Sequence, residues 1–140
     1  MSIDRMVVGP DVDFFTKDVY DAFGFSDVVR AGDFLHTSGI VPLHGSAADL
    51  TLVAEGDFRG QFEFVLHMLR TLLVRAGAQF PEDVVSMNIF TTQMDQLNAN
   101  CDLIASTFAG AHPAVTFLGV ARLFHPAQLV EVNAIACAPA

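Results

Sequence analysis

Residues 115–121 predict a β-strand that is uncharged on both of its faces. Side chains alternate between the two faces of a strand. One face here carries Val115, Phe117, Gly119 and Ala121, and the other carries Thr116, Leu118 and Val120. The rest of the sequence predicts only two helices, and two helices cover one face of a sheet. The second face therefore needs other cover, which favours a homo-oligomer whose subunits meet through their sheets.

The longest regular pattern is a helix over residues 57–76. Its apolar side chains recur at helical spacing, at Phe58, Phe62, Val65, Leu66, Leu69, Leu72, Leu73 and Ala76. Asp57 stands where an N-cap belongs, Arg75 lies in the last turn, and Gly77 can adopt the left-handed conformation that ends a helix. The pattern therefore predicts an amphipathic helix that packs one face on the sheet.

The remaining elements complete the order β-β-α-β-α-β-β, an α+β fold with both helices on one face of the sheet. Two short strands lie between Asp27 and Gly39, with a tight turn at Gly32 and Asp33, and residues 42–46 predict a loop. The elements after the first helix are a strand at 84–92, a helix at 95–109 capped by Asp95, and strands at 115–122 and 128–137.

The composition also indicates that another subunit covers part of the apolar surface. The chain has 140 residues, which suits one domain, and 52% of them are hydrophobic. A chain of this size that folds alone buries only about two-thirds of the surface that its unfolded form exposes. A partner subunit is the simplest cover for the excess. We expect residues 1–24 to form an N-terminal extension that packs its aromatic side chains on the body, and residues 25–140 to form the domain.

The charge balance disfavours several classes of function. Seven Lys and Arg residues against sixteen Asp and Glu residues give a net charge of −9, which argues against a nucleic acid partner because phosphate neutralisation dominates such binding. No segment is long and apolar enough to span a bilayer, and the N-terminus lacks a signal-peptide pattern. The two cysteines, Cys101 and Cys137, suit a reduced, cytoplasmic protein. No histidine pair has metal-ligand spacing, so we expect no metal. Because no segment could span a bilayer, we also expect no membrane partner.

Eight short strings occur in order along residues 25–138. They are VRAGDFL at 29–35, TSG at 37–39, VPL at 41–43, LLVRAGA at 72–78, DVV at 83–85, HPA at 112–114, VARL at 120–123 and LVEVNAIA at 129–136. This series resembles the RidA (YjgF) family, also called the endoribonuclease L-PSP family. The resemblance implies a chorismate-mutase-like fold in a homotrimer, whose sheets form a central barrel with small-molecule clefts between subunits. It also implies hydrolysis of enamines and imines to ketoacids and ammonia, without a cofactor or a metal.

The resemblance implies a catalytic role for Glu131, at the position of the carboxylate that orients the attacking water. Ser38 and Gly39 match the pair that lines the family's cleft. Strand alternation alone places Glu131 on the same face as Asn133. A carboxyl group there lies either in a cleft, where burial would raise its pKa toward a useful range, or at an interface, paired with Arg122 or a backbone amide.

Three matched positions differ from the family's deaminases, and all three differ in the apolar direction. The arginine that binds the substrate carboxylate through two hydrogen bonds is replaced by Val115. A tyrosine of the family's site corresponds to Phe25, and a small residue corresponds to Phe117. His112, close to the vacated position, either binds a substrate oxygen or moves a proton, or is a surface loop residue. These departures predict altered substrate specificity.

Several functions remain open at this point. The leading hypothesis is a hydrolase or deaminase that acts on an enamine or imine at a subunit-interface cleft. The alternative is a non-catalytic or regulatory protein that binds a small ligand on the same scaffold. A third hypothesis is a deaminase or tautomerase of the aminomuconate type. A ribonuclease role is the least favoured, because the acidic chain offers no basic track for a phosphate backbone.

Overall fold

Eight strands and four helices make up the computed structural model, which describes residues 2–140. The strands are β1 (Ile3–Met6), β2 (Val28–Ala31), β3 (Phe34–Thr37), β4 (Leu43–Ser46), β5 (Asp49–Leu52), β6 (Val84–Thr91), β7 (Ala114–Gly119) and β8 (Val130–Cys137). The helices are α1 (Lys17–Phe23), α2 (Phe58–Arg75), α3 (Met94–Ala99) and α4 (Asp102–Phe108). Six strands form one sheet in the order β1-β2-β3-β8-β6-β7, and β4 and β5 form a separate hairpin. The α+β fold class is therefore confirmed.

The alternating burial along strand β8 distinguishes the two faces of the sheet. Its buried side chains, Val130, Val132, Ala134 and Ala136, lie on the face where α2 packs. Its partly buried side chains are Glu131, Asn133, Ile135 and Cys137. Alternation along the strand thus places Glu131 on the side of the sheet away from α2, the side that we call the open face.

The open face carries uncharged side chains together with Glu131 of β8 and, by the strand register, Arg5 of β1. Phe34 of β3 is paired with Cys137 of β8, and it remains 45% exposed. Asn88 of β6 is paired with Asn133, and its side-chain Nδ2 donates a hydrogen bond of 3.0 Å to the side-chain Oδ1 of Asn133. An exposed phenylalanine on a sheet face is typical of a surface that another protein covers.

Helix α2 forms as predicted. The Asp57 carboxylate accepts a hydrogen bond from the Gly60 backbone N–H at 3.0 Å, which is the expected N-cap. Arg75 lies in the last turn, and Gly77 follows with a left-handed φ of 107°. The eight apolar positions identified from periodicity are all buried: Phe58, Phe62, Val65, Leu66, Leu69, Leu72, Leu73 and Ala76.

The loop predicted at residues 42–46 is wrong, because this segment begins a hairpin. Strand β4 pairs antiparallel with β5, from Leu43 opposite Leu52 to Ser46 opposite Asp49. Gly45 has a φ of 114°, a conformation that glycine adopts at little cost. The glycine and the polar residues that suggested a loop therefore lie inside a short strand.

The single helix predicted over residues 95–109 is also wrong, because the chain divides it into α3 and α4. Asn100 ends α3, and its side-chain amide donates to the Gln96 carbonyl at 2.8 Å. Such side-chain bonds compete with the helical backbone pattern. Gln93, rather than Asp95, is the N-cap of α3, and Asp95 lies in the first turn.

Residues 2–24 add an edge strand and a short helix to the body. Strand β1 pairs antiparallel with β2, and α1 ends at Gly24, whose φ is 73°. The buried Asp27 carboxylate accepts backbone hydrogen bonds from Val8 and Gly9, both at 2.8 Å, and so fixes the path of this segment. The aromatic side chains of Phe14, Phe15 and Tyr20 are buried.

Within residues 2–140, none of the helices combines the length and the apolar character that a membrane crossing requires.

Candidate functional site

A cavity of about 430 Å³ opens beside Glu131 on the open face, and we call it the Glu131 cavity. Segments far apart in the sequence form its walls: the N-terminal segment with α1, the stretch after β3, the β4–β5 hairpin, the loop before β8, and β8 itself. Its lining residues are Phe15, Val19, Phe23, Phe25, Ser38, Gly39, Val41, Leu43, Leu50, Phe124 and Glu131. Its volume is in the range of small-molecule sites.

Glu131 is held in place by a glycine and a buried amide. Its carboxylate lies directly against Gly39, where an added Cβ atom would overlap Oε2. Its Oε1 accepts a hydrogen bond of 3.2 Å from the side-chain amide of Gln128, which is buried. Gln128 is itself fixed, because its amide donates to the Val130 carbonyl at 3.1 Å and its oxygen accepts from the His125 backbone at 3.2 Å. The carboxyl group is thus positioned by its neighbours.

Burial raises the pKa of Glu131, because it disfavours the charged form, and the hydrogen bond from Gln128 lowers the pKa by a smaller amount. No ion pair joins Glu131 to Arg122 among residues 2–140. A carboxyl group with a raised pKa in a cavity is better suited than an exposed carboxylate to accept and return a proton. The cleft interpretation of Glu131 therefore describes its surroundings better than the Arg122 pair does.

Ser38, Gly39 and Phe25 reach the same cavity, as the sequence predicted for cleft residues. The Ser38 hydroxyl donates to the Ser26 carbonyl, so it is engaged by the backbone. The ring of Phe25 packs against Tyr20, with centroids 4.9 Å apart, and edge-on against Phe15 at 6.1 Å. These four residues, Glu131 included, form one contiguous site within a single chain.

His112, Val115 and Phe117 lie elsewhere in the chain. They line a second cavity of about 300 Å³ between α4 and β7, which we call the β7 cavity. Val115 and Phe117 are paired with Met87 and Ile89, whose side chains are buried with the core, whereas Glu131 projects from the opposite face of the sheet. One chain therefore does not bring these three residues to Glu131.

Several residues of the Glu131 cavity were missed from the sequence. The aromatic residues Phe15, Phe23 and Phe124 lie far from Glu131 along the chain, and Val41 and Leu43 lie beside or within the unpredicted hairpin. Gln128 carries the one side chain that bonds the Glu131 carboxylate among the described residues. The available sequence signal for Gln128 was its position, three residues before Glu131 at the start of β8.

No group of three or more His, Cys, Asp or Glu side chains suited to a metal ion occurs between residues 2 and 140. None of the residues that line the Glu131 cavity is Lys, Arg or His. The chemistry available in the cavity is thus that of one carboxyl group, one hydroxyl group and an apolar wall.

The fold and the cavity together define an α+β subunit with one open sheet face and a carboxyl group in a cavity of small-molecule size. The family model described as Endoribonuclease L-PSP matches residues 16–138. The chain belongs to this family, which includes the RidA (YjgF) proteins. The earlier resemblance is therefore confirmed.

Individual relatives agree with this assignment. A RutC family protein of Pyrococcus horikoshii is 27% identical over 123 residues, which are 87% of this chain and 94% of the relative. A Rid family protein of unknown function from Yersinia pestis has a solved structure with a TM-score of 0.71 at 27% identity, covering 81% of this chain and 86% of that one. Rv2704 of Mycobacterium tuberculosis, a member of the YjgF/YER057c/UK114 family, shares the fold with a TM-score of 0.76 at 24% identity, over 97% and 99% of the two chains.

Proposed function

We propose that this protein hydrolyses an enamine or imine in the Glu131 cavity, with Glu131 as the group that activates water. The observation that carries the proposal is the partly buried Glu131 carboxyl group, which has a raised pKa and faces a cavity of small-molecule size. The chain belongs to the family whose resemblance implied this chemistry.

The proposed reaction proceeds in two steps. Glu131 accepts a proton from water while the water oxygen bonds to the imine carbon, and the C=N π electrons move to nitrogen, which takes a proton from solvent. The resulting carbinolamine then collapses: its hydroxyl gives a proton to solvent, the O–H electrons form the C=O bond as the C–N bond breaks, and the nitrogen leaves as ammonia with the proton that Glu131 returns. One imine and one water thus give one carbonyl compound and one ammonia.

We further propose that the working form is a homotrimer joined through the open faces of its sheets, with the chorismate-mutase-like central barrel. The exposed Phe34 on the open face supports this assembly. In the trimer, the β7 cavity of one subunit would close the Glu131 cavity of the next, so that His112, Val115 and Phe117 complete the site. This arrangement accounts for the separation of the two sets of residues within one chain.

In this proposal, the substrate specificity differs from that of the family's deaminases. Neither cavity contributes an arginine, and Val115 offers only a neutral isopropyl group where the deaminases of the family bind a carboxylate. The free cysteines Cys101 and Cys137 agree with a cytoplasmic location. The net charge of −9 continues to argue against a ribonuclease.

The test is the rate of imine hydrolysis with the intact protein. Imines without a carboxylate are generated in place by an amine oxidase, and 2-aminoacrylate by a dehydratase, and ammonia release is measured against the rate without protein. We expect faster hydrolysis with the wild type and a loss of about 100-fold in kcat in Glu131→Gln, the typical contribution of general acid–base catalysis. Equal ammonia release with and without the wild-type protein would contradict the proposal.

Glu131→Gln should fold at least as well as the wild type at neutral pH. Because the folded-state pKa of Glu131 is raised, its contribution to stability is present below the unfolded pKa and is lost as the pH rises through the folded pKa. A neutral amide avoids this loss. Thermal unfolding of both proteins at neutral pH therefore serves as the control that an activity loss is chemical.

A non-catalytic ligand-binding role is the second candidate, and the apolar replacements Phe25, Val115 and Phe117 favour it. It predicts that a ligand binds in the Glu131 cavity without turnover, and that Glu131→Gln leaves the affinity for that ligand intact. Binding with no acceleration of any imine hydrolysis would select this candidate.

A further inference from the structure

The Glu131 cavity is walled by four phenylalanine rings in two edge-to-face pairs. Phe15 and Phe25 have ring centroids 6.1 Å apart at 86°, and Phe23 and Phe124 have centroids 5.7 Å apart at 82°. Phe23 and Phe124 are 49% and 59% exposed. Four aromatic rings that line one cavity favour an apolar occupant between them. A flat aromatic ring matches these walls, because it can stack on or meet the edges of the phenyl groups.

The cavity offers nothing to bind an anionic group. Its lining contains no basic side chain, and in the β7 cavity His112 is the one lining residue that could carry a positive charge. A ligand carboxylate that enters the Glu131 cavity would lose its hydration and gain no cationic partner there. Ionised Glu131 would also repel it. Ligands with a carboxylate are therefore disfavoured.

One oxygen of Glu131 is free to bind a ligand. Oε1 accepts from Gln128, whereas Oε2 lies against Gly39 and accepts no hydrogen bond from any residue between 2 and 140. A ligand N–H group at Oε2 would satisfy this oxygen. A positively charged nitrogen would in addition pair with the carboxylate and lie beside aromatic rings, whose faces attract cations.

We infer that the Glu131 cavity selects aryl-bearing amines and imines that lack a carboxylate. The aromatic group lies between the phenylalanine pairs, and the nitrogen lies at Oε2 of Glu131. The inference rests on the proposed function for the reacting group, because the same nitrogen would be the leaving group in imine hydrolysis. It goes beyond that function by defining the substrate class.

Three probes of nearly equal size test the inference: 2-phenylethylamine, 2-phenylethanol and phenylacetate, which carry a positive, a neutral and a negative head group. Calorimetric titration of the full-length protein near neutral pH gives their affinities. We expect the amine to bind about tenfold tighter than the alcohol and phenylacetate to bind weakest, as a charge-assisted hydrogen bond predicts. In Glu131→Gln, the amine should lose this advantage while the affinity for the alcohol stays the same.

Phe124→Ala tests the aromatic half of the inference. Phe124 is mostly exposed, so the variant should fold, and all three probes should lose affinity by a similar factor of about ten. Val74→Ala is the matched control, because Val74 is an exposed apolar residue on α2 outside the cavity, and its affinities should equal those of the wild type.

Phenylacetate binding as tightly as the amine, an amine advantage that persists in Glu131→Gln, or no binding of any probe up to about 10 mM would each overturn the inference. The probes have no C=N bond and are not turned over, so the outcome is independent of the hydrolysis test. An amine preference without imine turnover would sustain the inference and contradict the proposed reaction. Turnover of carboxylate-bearing imines combined with tight phenylacetate binding would support the proposed reaction and contradict the inference about the substrate class.

Discussion

The Glu131 cavity and the β7 cavity are built differently. The first is closed by segments from residue 15 to residue 131, and it contains a partly buried carboxyl group fixed by Gln128. The second lies between neighbouring segments, residues 101–117, and its lining is mostly apolar. Both lack a guanidinium group. In the proposed trimer, the reacting group belongs to the Glu131 cavity, and the β7 cavity of the neighbouring subunit supplies a wall that defines which molecules fit.

Gly39 lines the Glu131 cavity, whereas Gly119 ends β7 and is not among the residues that line either cavity. Alanine variants of these two glycines therefore test how closely the activity depends on the position of Glu131. A methyl group at Gly39 would overlap Oε2 of Glu131, so Gly39→Ala must displace the carboxylate. We expect kcat to fall about tenfold to a hundredfold, as for a misplaced catalytic group, with little loss of stability because the end of the Glu131 side chain can move. Steady-state kinetics of imine hydrolysis and thermal unfolding measure the two effects.

Gly119→Ala is the matched control. A Cβ atom at Gly119, on β7, would meet the Met94 side chain at 3.6 Å, which is ordinary van der Waals contact. This variant should keep the activity and stability of the wild type. Equal losses of activity in Gly39→Ala and Gly119→Ala would show that the contact with Glu131 has no special importance.

The sequence predicted the parts of this molecule that depend on local periodicity. Helix α2 follows from the spacing of its apolar residues, and the position of Glu131 on the open face follows from alternation along β8. The β4–β5 hairpin was not predictable from its turn-forming composition, because pairing between the two segments stabilises it. The walls of the Glu131 cavity were missed for a related reason: Phe23 and Phe124 meet only in the folded chain.

A guanidinium group placed in the β7 cavity would test whether this cavity faces the Glu131 cavity of a neighbouring subunit. In the proposed trimer, Val115→Arg restores the arginine that the family's deaminases use, so carboxylate-bearing imines should gain about tenfold in kcat/KM relative to imines without a carboxylate. Val115 lies on the edge strand β7 and is only partly buried, so the longer side chain can be accommodated. The ratio of the two kcat/KM values is the measurement.

Val115→Leu is the control for size, and it should leave the ratio of the two kcat/KM values unchanged. An unchanged ratio in Val115→Arg would mean that the β7 cavity does not face the Glu131 cavity of another subunit. The proposed arrangement of the trimer would then be wrong, although the chemistry of Glu131 would stand.

The smallest expected effect concerns the hydrogen bond from Gln128 to Glu131. This bond lowers the pKa of Glu131 against the larger rise caused by burial. Gln128→Met removes the donor, so the pKa of Glu131 should rise further. Because the proposed base must be deprotonated, activity increases with pH through this pKa, and the acidic limb of the pH–kcat profile should move to higher pH.

The maximal kcat of Gln128→Met, reached at higher pH, should remain close to that of the wild type. Gln128 also bonds the backbone of His125 and Val130, so the variant should lose about 1–3 kcal/mol of stability, which chemical denaturation measures separately. A stability loss of that size with an unmoved acidic limb would mean that Gln128 only holds the loop before β8. An acidic limb that moves to lower pH would contradict the role of Glu131 as the base, because removal of a donor cannot stabilise the carboxylate.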